Sequence, residues 1–120
     1  MTDRTPDPGC LFCRIVAGEI PAEQVHADKL VVAIRDIQPK APTHILFLSR
    51  EHIASAAELT DADGPLLGRL YAAAADFARA AGIAENGYRL VTNIGTWGGQ
   101  TVPHLHIHLL GGRSMTWPPG

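Results

Sequence analysis

The sequence predicts a single α+β domain with a five-stranded antiparallel sheet, one long helix and one short helix. Its 120 residues suit one domain, and 46 % of them are hydrophobic, close to the globular average. The predicted elements run helix, three strands, helix, two strands, and their tight connections favour antiparallel pairing. We expect this domain to span residues 10–120, after a flexible segment at residues 1–9 that is polar and rich in proline.

Composition excludes several classes of partner. The chain has 10 Lys and Arg against 12 Asp and Glu, a formal net charge of −2. Because this balance leaves no basic surface, we expect neither nucleic acid nor an anionic membrane as a partner. No apolar run approaches the roughly 18 residues of a membrane-spanning helix, and the first residues lack the apolar stretch of a signal peptide. We therefore expect a cytoplasmic protein.

Two segments have the periodicity of helices. Apolar residues recur at helical spacing from position 11 to Gly18, which predicts a short helix. The long helix is predicted after Thr60 and Asp63, which have the spacing of a capping box. Apolar residues follow at i, i+3, i+4 and i+7, and Gly82 is a favourable C-terminal stop.

Five β-prone runs predict the strands, with a hairpin turn at Asp28-Lys29 between the first two. They are Gln24–Asp28, Leu30–Asp36, His44–Ser49, Tyr88–Asn93 and Val102–Leu110. The third run is apolar without interruption, which predicts a strand that is buried on both faces.

Three of the six histidines alternate within the last strand, at positions His104, His106 and His108. Since successive side chains of a strand point to opposite faces, these imidazoles should share one face and the intervening Leu and Ile the other. Packing explains such a row poorly, because each imidazole brings a polar nitrogen that must be satisfied. Two functions remain open: a catalytic zinc, or attack of one imidazole on phosphorus with help from its neighbours.

The segment that leads into the histidines is rich in glycine. Residues 93–101 contain Gly95, Gly98 and Gly99, followed by Gln100 and Thr101. Glycines let a backbone approach a ligand closely, and the two polar side chains add hydrogen-bond donors, as a phosphate requires. The loop therefore favours attack on phosphorus over a catalytic zinc.

Cys10 and Cys13 have the spacing Cys-x-x-Cys. In a reducing cytosol this spacing favours a metal or redox pair over a structural disulfide. A thioredoxin-like motif requires a preceding strand, whereas only nine residues precede Cys10, two of them Pro and one Gly. A redox role is therefore disfavoured.

The segment Gly98–Leu110, Gly-Gly-Gln-Thr-Val-Pro-His-Leu-His-Ile-His-Leu-Leu, resembles the signature of the histidine triad (HIT) nucleotide hydrolases and transferases. The most similar branch is Hint, the purine nucleoside phosphoramidases. The resemblance extends to residues 11–21, 36–44, 51–53 and 111–120, and the final Trp-Pro-Pro-Gly is specific. It implies a five-stranded α+β fold that pairs in a homodimer into a continuous ten-stranded sheet.

The resemblance implies roles for four histidines. His106 resembles the nucleophile, which would form a nucleotidyl-histidine intermediate with an acceptor, such as a backbone carbonyl, on its other ring nitrogen. His108 resembles the residue that bonds the phosphate, while His104 and His44 resemble the outer members of a proton relay. Thr101 stands where the branch has Ser, and its hydroxyl would contact the leaving group.

The resemblance also implies a nucleotide pocket. Asp36 matches the acid that accepts hydrogen bonds from the ribose hydroxyls, because a carboxylate offers two oxygens. The apolar positions that sandwich the purine are Phe12, Ile15, Ile34, Ile37 and Leu46. The loop residues around the α-phosphate are Asn93, Gly99, Gln100 and Thr101.

Some bacterial HIT proteins that this chain resembles hold a structural zinc. The matching ligands are Cys10, Cys13, His52 and His104. Such a zinc would be closed to water, so no cofactor is required for the chemistry. The alternative is a pair of reduced, partly buried thiols. If zinc binds His104, that imidazole is unable to relay protons as well.

The resemblance implies hydrolysis of purine nucleoside 5′-phosphoramidates, with AMP or GMP as the nucleotide. The Trp-Pro-Pro-Gly ending and the hydroxyl at position 101 favour this activity. Two alternatives stay open. One is a dinucleotide polyphosphate hydrolase or nucleotidyl transferase, and the other is a nucleotide-binding regulatory protein with little turnover.

Overall fold

Two α-helices and five strands lie in the part of the chain that the structure, a computed structural model, describes. That part is residues 3–120, and Met1 and Thr2 fall outside it. In chain order the elements are α1 (Leu11–Val16), β1 (Gln24–Ala27), β2 (Val31–Arg35), β3 (Thr43–Ser49), α2 (Gly64–Ala80), β4 (Arg89–Val91) and β5 (His106–Gly111). No helix among these residues is long and apolar enough to cross a membrane.

The strands form one antiparallel sheet in the order β1–β2–β3–β5–β4. The predicted hairpin joins β1 to β2, where the Asp28 N–H donates to the Val31 carbonyl oxygen at 2.9 Å. β3 lies at the centre, and its residues from Ile45 to Ser49 are all buried. The predicted α+β class, the five antiparallel strands and the burial of the third strand on both faces are confirmed.

The two helices cover opposite faces of the sheet. On one face α2 packs against a large apolar cluster that includes Ile45, Phe47 and Ile107. On the other face Phe12 and Ile15 of α1 pack against a smaller cluster. The strand members of this smaller cluster are Val32, Ile34, Leu46 and Leu48. Each face of the central strands is therefore shielded by its own helix.

The long helix begins later than the sequence predicts. Asp61–Asp63 form a turn of 3-10 helix first, in which the Thr60 N–H donates to Asp63 Oδ2 at 2.9 Å as expected for a capping box. The α-helix then starts at Gly64, where a proline in its first turn needs no N–H partner. It ends before Gly82, whose φ of +76° favours glycine.

The last strand is shorter than predicted, beginning at His106 rather than Val102. Pro103 has no N–H to donate, and the His104 N–H turns back to the Val102 carbonyl oxygen at 2.9 Å. Regular pairing is therefore delayed to His106. The predicted Tyr88–Asn93 strand is likewise reduced to β4, because the chain turns towards the glycine-rich loop after Val91.

The segment before α1 makes specific contacts. The Arg4 guanidinium donates to both carboxylate oxygens of Asp63, at 2.7 and 3.0 Å, and the Arg4 carbonyl accepts a hydrogen bond from the His52 N–H at 3.1 Å. Flexibility of residues 1–9 stays a prediction, and its first two residues lie outside the described part of the chain.

Candidate active site

The three alternating histidines share one side of the sheet, as predicted. Leu105, Ile107 and Leu109 belong to the core beneath α2. His104 precedes β5, yet its ring and that of His106 both meet the edge of Phe12, with centroids 5.9 and 5.0 Å away. The His106 and His108 rings lie 5.0 Å apart. Alternation thus gathers three imidazoles on the α1 side.

The protonation of His106 is fixed by the backbone. Its Nδ1 lies 2.6 Å from the carbonyl oxygen of His104. A carbonyl only accepts, so the ring proton sits on Nδ1 and the lone pair on Nε2. Burial lowers the pKa of His106, which favours this neutral form. The predicted acceptor on the second ring nitrogen is present.

His44 and His108 form a directed pair. The Lys40 backbone N–H donates to His44 Nδ1 at 3.1 Å, which leaves the His44 proton on Nε2. His44 Nε2 lies 2.9 Å from His108 Nδ1 and donates to it, so the His108 proton is on Nε2. Burial lowers the pKa of both rings, and that of His108 reaches about 4 because His106 and His44 add to the effect. Both are neutral at pH 7.

Asp36 lies just beyond the end of β2, beside this pair. Its Oδ2 is 3.5 Å from His44 Nε2, and its Oδ1 accepts the Gln38 N–H at 2.7 Å. The side chain is one-fifth exposed, at 20 %. A carboxylate is therefore available at the margin of the histidine row.

An apolar wall adjoins His106. The four buried residues predicted to contact a purine, which come from α1, β2 and β3, lie in one cluster: Phe12, Ile15, Ile34 and Leu46. Ile37 does not join them. Because β2 ends at Arg35, Ile37 extends from the following loop and is 92 % exposed.

The side chain of Gln100 holds the glycine-rich loop. Its Oε1 accepts the Gly95 N–H at 3.0 Å, while its Nε2 donates to the carbonyl oxygens of Ala54, at 2.7 Å, and Val102, at 3.1 Å. We expected this side chain to offer donors to a phosphate. Instead both amide N–H groups are engaged within the protein, so Gln100 shapes the loop.

Glycine is required at Gly98 and at Gly99 of the loop, for different reasons. A Cβ at Gly98 would lie 2.2 Å from the Ile94 carbonyl oxygen, and Gly99 has a φ of +83°. Asn93 Nδ2 donates to the Gly98 carbonyl oxygen at 2.7 Å, across the loop. Thr101 follows with an exposed side chain. The loop is thus closed by side-chain amides and leaves the threonine hydroxyl accessible.

The two cysteines meet two histidines, as the sequence predicts for a metal site. His104 Nδ1 lies 3.4 Å from Cys10 Sγ and 3.5 Å from Cys13 Sγ, and His52 Nδ1 lies 3.2 Å from Cys13 Sγ. The donor atoms of all four residues lie within 4.8 Å of one another. Tetrahedral zinc with ordinary bond lengths separates sulfur and nitrogen ligands by about 3.5 Å. These distances fit a Cys₂His₂ metal site.

The ring of His104 is oriented for a metal. Its Nε2 donates to the Ser49 carbonyl oxygen at 2.6 Å, so the lone pair on Nδ1 faces the two sulfurs. A second set, Asp36, His44 and His108, also converges. There the His44 proton occupies the space between the rings, because the Lys40 N–H holds it on Nε2. In this second set a proton therefore lies between the two rings, whereas in the cysteine cluster the His104 lone pair faces the two sulfurs.

Sequence analysis missed two groups that orient these rings. They are the Ser49 carbonyl, which fixes His104, and the Lys40 N–H, which fixes His44. Both are backbone groups, and every residue type except proline offers the same donor and acceptor. No residue pattern could have identified them.

Comparison with known proteins places the chain in a family. A family model described as HIT domain matches residues 17–115. The purine nucleoside phosphoramidase of Escherichia coli strain K12 is 46 % identical over 105 residues, which are 88 % of this chain and 88 % of that protein. The chain therefore belongs to the HIT domain family. The relative supports a general role in nucleotide hydrolysis.

Solved structures share the fold. The crystal structure of a HIT family hydrolase from Legionella pneumophila Philadelphia 1 matches with a TM-score of 0.92 and 53 % identity, covering 93 % of this chain and 100 % of that one. A zinc-bound histidine triad family protein from Mycobacterium smegmatis matches with a TM-score of 0.77 and 29 % identity, covering 88 % and 76 %.

Two glycine-to-alanine substitutions should change stability in opposite directions. Gly98→Ala places a methyl group against the Ile94 carbonyl oxygen, so it should lower the free energy of unfolding by about 1–3 kcal/mol. Gly68→Ala, in open space on α2, should raise it by about 0.5–1 kcal/mol. Urea unfolding measures both. Equal effects of the two substitutions would contradict the loop geometry.

Proposed function

We propose that this protein hydrolyses purine nucleoside 5′-phosphoramidates and releases the nucleoside monophosphate and an amine. The observation that carries the proposal is the fixed pair of proton positions: a lone pair on His106 Nε2 beside an N–H on His108 Nε2. The first is a nucleophile and the second a donor to a phosphate oxygen. The name of the Escherichia coli relative supports the same substrate class.

The first step breaks the phosphorus–nitrogen bond. His106 Nε2 attacks phosphorus, a nucleotidyl-histidine forms, and the amine leaves with a proton that Thr101 helps to deliver. An imidazole that attacks with its lone pair needs no general base. The Nδ1–H bond to the His104 carbonyl stabilises the positive charge that the ring gains. Water then attacks phosphorus, which releases the monophosphate and restores His106.

His108 and His44 act on the charge of the phosphate. His44 donates to His108 Nδ1 and so keeps the His108 proton on Nε2, where it reaches the phosphate oxygen as negative charge grows. The Lys40 N–H donates to His44 Nδ1 and so keeps the His44 proton on Nε2. Neither ring is required to carry a net charge.

The nucleoside occupies the α1 side of the sheet in this proposal. The wall formed by Phe12, Ile15, Ile34 and Leu46 contacts the purine, and exposed Ile37 covers it from the solvent side. Asp36 accepts hydrogen bonds from the ribose hydroxyls. The α-phosphate lies against the loop of Asn93, Gly99, Gln100 and Thr101, with Asn93 and Gln100 holding its shape.

We also propose a structural zinc bound by Cys10, Cys13, His52 and His104, in keeping with the zinc-bound relative from Mycobacterium smegmatis. When bound, the metal supplies a tetrahedral link between chain segments and no open position for water. Both ring nitrogens of His104 are then engaged, with the metal and with Ser49. His104 therefore serves as a ligand and not as a proton relay.

The pairing of two chains into a ten-stranded sheet is proposed as well. β4 is an edge strand of the sheet. Ile94, which follows β4 in sequence, is exposed. Trp117 is also exposed, and it is next to Thr116, whose carbonyl oxygen accepts a hydrogen bond from Arg89 of β4. An uncovered edge favours addition of a strand from a second copy. The expected location of this dimer is the cytoplasm.

Substitution of His106 should abolish turnover and retain binding. We expect His106→Asn to lower hydrolysis of an adenosine tryptamine phosphoramidate by several orders of magnitude, with AMP affinity within about tenfold, because the loop, Asp36 and the purine wall remain. His108→Ala should cost about a hundred- to thousandfold, as for loss of one charge-stabilising donor. Tryptamine fluorescence measures the rates.

Intact-mass spectrometry after brief mixing should detect an AMP adduct on the wild type, absent from His106→Asn. An adduct that maps to His104 or His108 would contradict the mechanism. Binding without release of tryptamine by the wild type would favour a regulatory protein with little turnover.

Metal analysis tests the zinc. Protein purified without chelator should hold one zinc per chain, and Cys13→Ser should lose it together with stability while it retains hydrolysis, because a closed site supplies no reacting water. Elemental analysis and thiol titration measure this outcome. Near-zero zinc with two freely titrating thiols would show that the site holds no metal.

Light scattering tests the dimer. At micromolar concentration the protein should have the mass of two chains, and deletion of residues 117–120 should change substrate preference more than thermal stability. A clean monomer would contradict the proposed pairing.

A further inference from the structure

The segment of residues 3–9, which we call the N-terminal arm, lies against the Cys₂His₂ cluster. The Arg4 carbonyl accepts a hydrogen bond from the His52 N–H at 3.1 Å. The Asp7 N–H donates to Cys13 Sγ at 3.4 Å. The Asp7 carbonyl oxygen also accepts the Cys10 N–H at 2.9 Å. The arm therefore contacts three of the four candidate ligands directly, two through backbone amides and one through its sulfur.

A bidentate ion pair anchors the arm. The Arg4 guanidinium donates to both carboxylate oxygens of Asp63, whose side chain is only 9 % exposed. The hydrogen bonds from Arg4 and from the Thr60 N–H lower the pKa of Asp63 to about 2, so the pair is charged at neutral pH. Asp63 itself closes the capping box of the 3-10 turn at Asp61–Asp63, directly before α2 begins at Gly64. The arm is thus tied to the long helix.

His52 is the most accessible member of the cluster. Cys10, Cys13 and His104 are buried, whereas His52 is only partly buried. A metal leaves a closed site by way of the ligand that detaches most easily. The arm binds the backbone of this ligand, through Arg4, at the point where the site faces solvent.

We propose that the N-terminal arm is a clasp for the metal site, and that Arg4 and Asp63 are positioning residues that hold His52 in place and slow release of the metal. The inference rests on the proposed zinc. Neither residue ligates the metal, so their loss should speed release and leave the ligand set unchanged. The proposed hydrolysis uses no part of this ion pair.

The experiment compares zinc release from the full-length protein and its variants. Zinc-loaded protein is mixed with excess chromophoric chelator, and transfer is followed by absorbance. Arg4→Ala and Asp63→Asn should each speed release about tenfold, the range for residues that support a metal ligand. Arg4→Lys, which keeps the charge and loses the fork, should fall between. The double variant should release zinc no faster than the faster single variant, because both substitutions break the same Arg4–Asp63 ion pair.

Two controls distinguish an effect of the N-terminal arm on zinc release from an effect on the stability of the whole fold. Arg79→Ala removes an ion pair with Asp76 on the same helix, and its zinc release should equal that of the wild type. Cobalt-substituted Arg4→Ala should show the same thiolate charge-transfer absorption as the wild type, since Cys10 and Cys13 still bind. Asp63→Asn also weakens the capping box. If that variant does not fold, the result for Arg4→Ala alone tests the proposal.

The outcomes distinguish this inference from the proposed zinc. One zinc per chain with unchanged release from Arg4→Ala overturns the clasp and leaves the zinc site intact. Near-zero zinc in the wild type overturns both. Faster release from Arg79→Ala to the same extent as from Arg4→Ala also overturns the clasp, because the effect would then be one of general stability.

Discussion

His104 is the residue on which both clusters depend, because its two polar groups point to different sites. Its backbone carbonyl accepts the Nδ1–H of His106 at 2.6 Å, and its ring faces the two cysteine sulfurs. A change in the conformation of His104 would therefore remove the bond that keeps the His106 lone pair on Nε2, and it would also move a ring nitrogen of the candidate metal cluster. The third contact, to the Ser49 carbonyl, opposes that change.

The sheet supplies the rigidity that these contacts require. His106 pairs with Leu48 and His108 with Leu46 across the β3–β5 ladder, at the centre of the sheet. Both neighbours in β3 are buried, and each face carries a helix. Packing of this density leaves few alternative rotamers. The histidines therefore hold their positions before any ligand arrives, and binding needs to order little besides the ligand.

Sequence predicted the features that depend on residue type and periodicity. Alternation placed His106 and His108 on one face, and the apolar run of β3 predicted burial on both sides. The resemblance to bacterial HIT proteins predicted that Cys10, Cys13, His52 and His104 come together, and they form a cluster that could hold a metal. Sequence did not predict the features that depend on hydrogen bonds to backbone groups. Gln100 was expected to offer its amide to a phosphate, and in the structure that amide donates to the carbonyl oxygens of Ala54 and Val102, backbone groups with no signature in sequence.

Two further differences have local causes. Pro103 delayed the start of β5, and Ile37 lies in the loop after β2, where it is exposed and separate from the buried residues of the apolar wall. Strand boundaries are hard to predict because they depend on local backbone pairing, which residue patterns do not specify.

The hydrogen bonds from Lys40 through His44 to His108 run in one direction only. The series begins at a backbone N–H, which gives up no proton at ordinary pH, so each imidazole passes on orientation and not a proton. In the observed arrangement these bonds fix which nitrogen of each ring carries the proton. In the proposed hydrolysis, the proton for the leaving amine therefore comes from the open side of the site, where Thr101 is exposed.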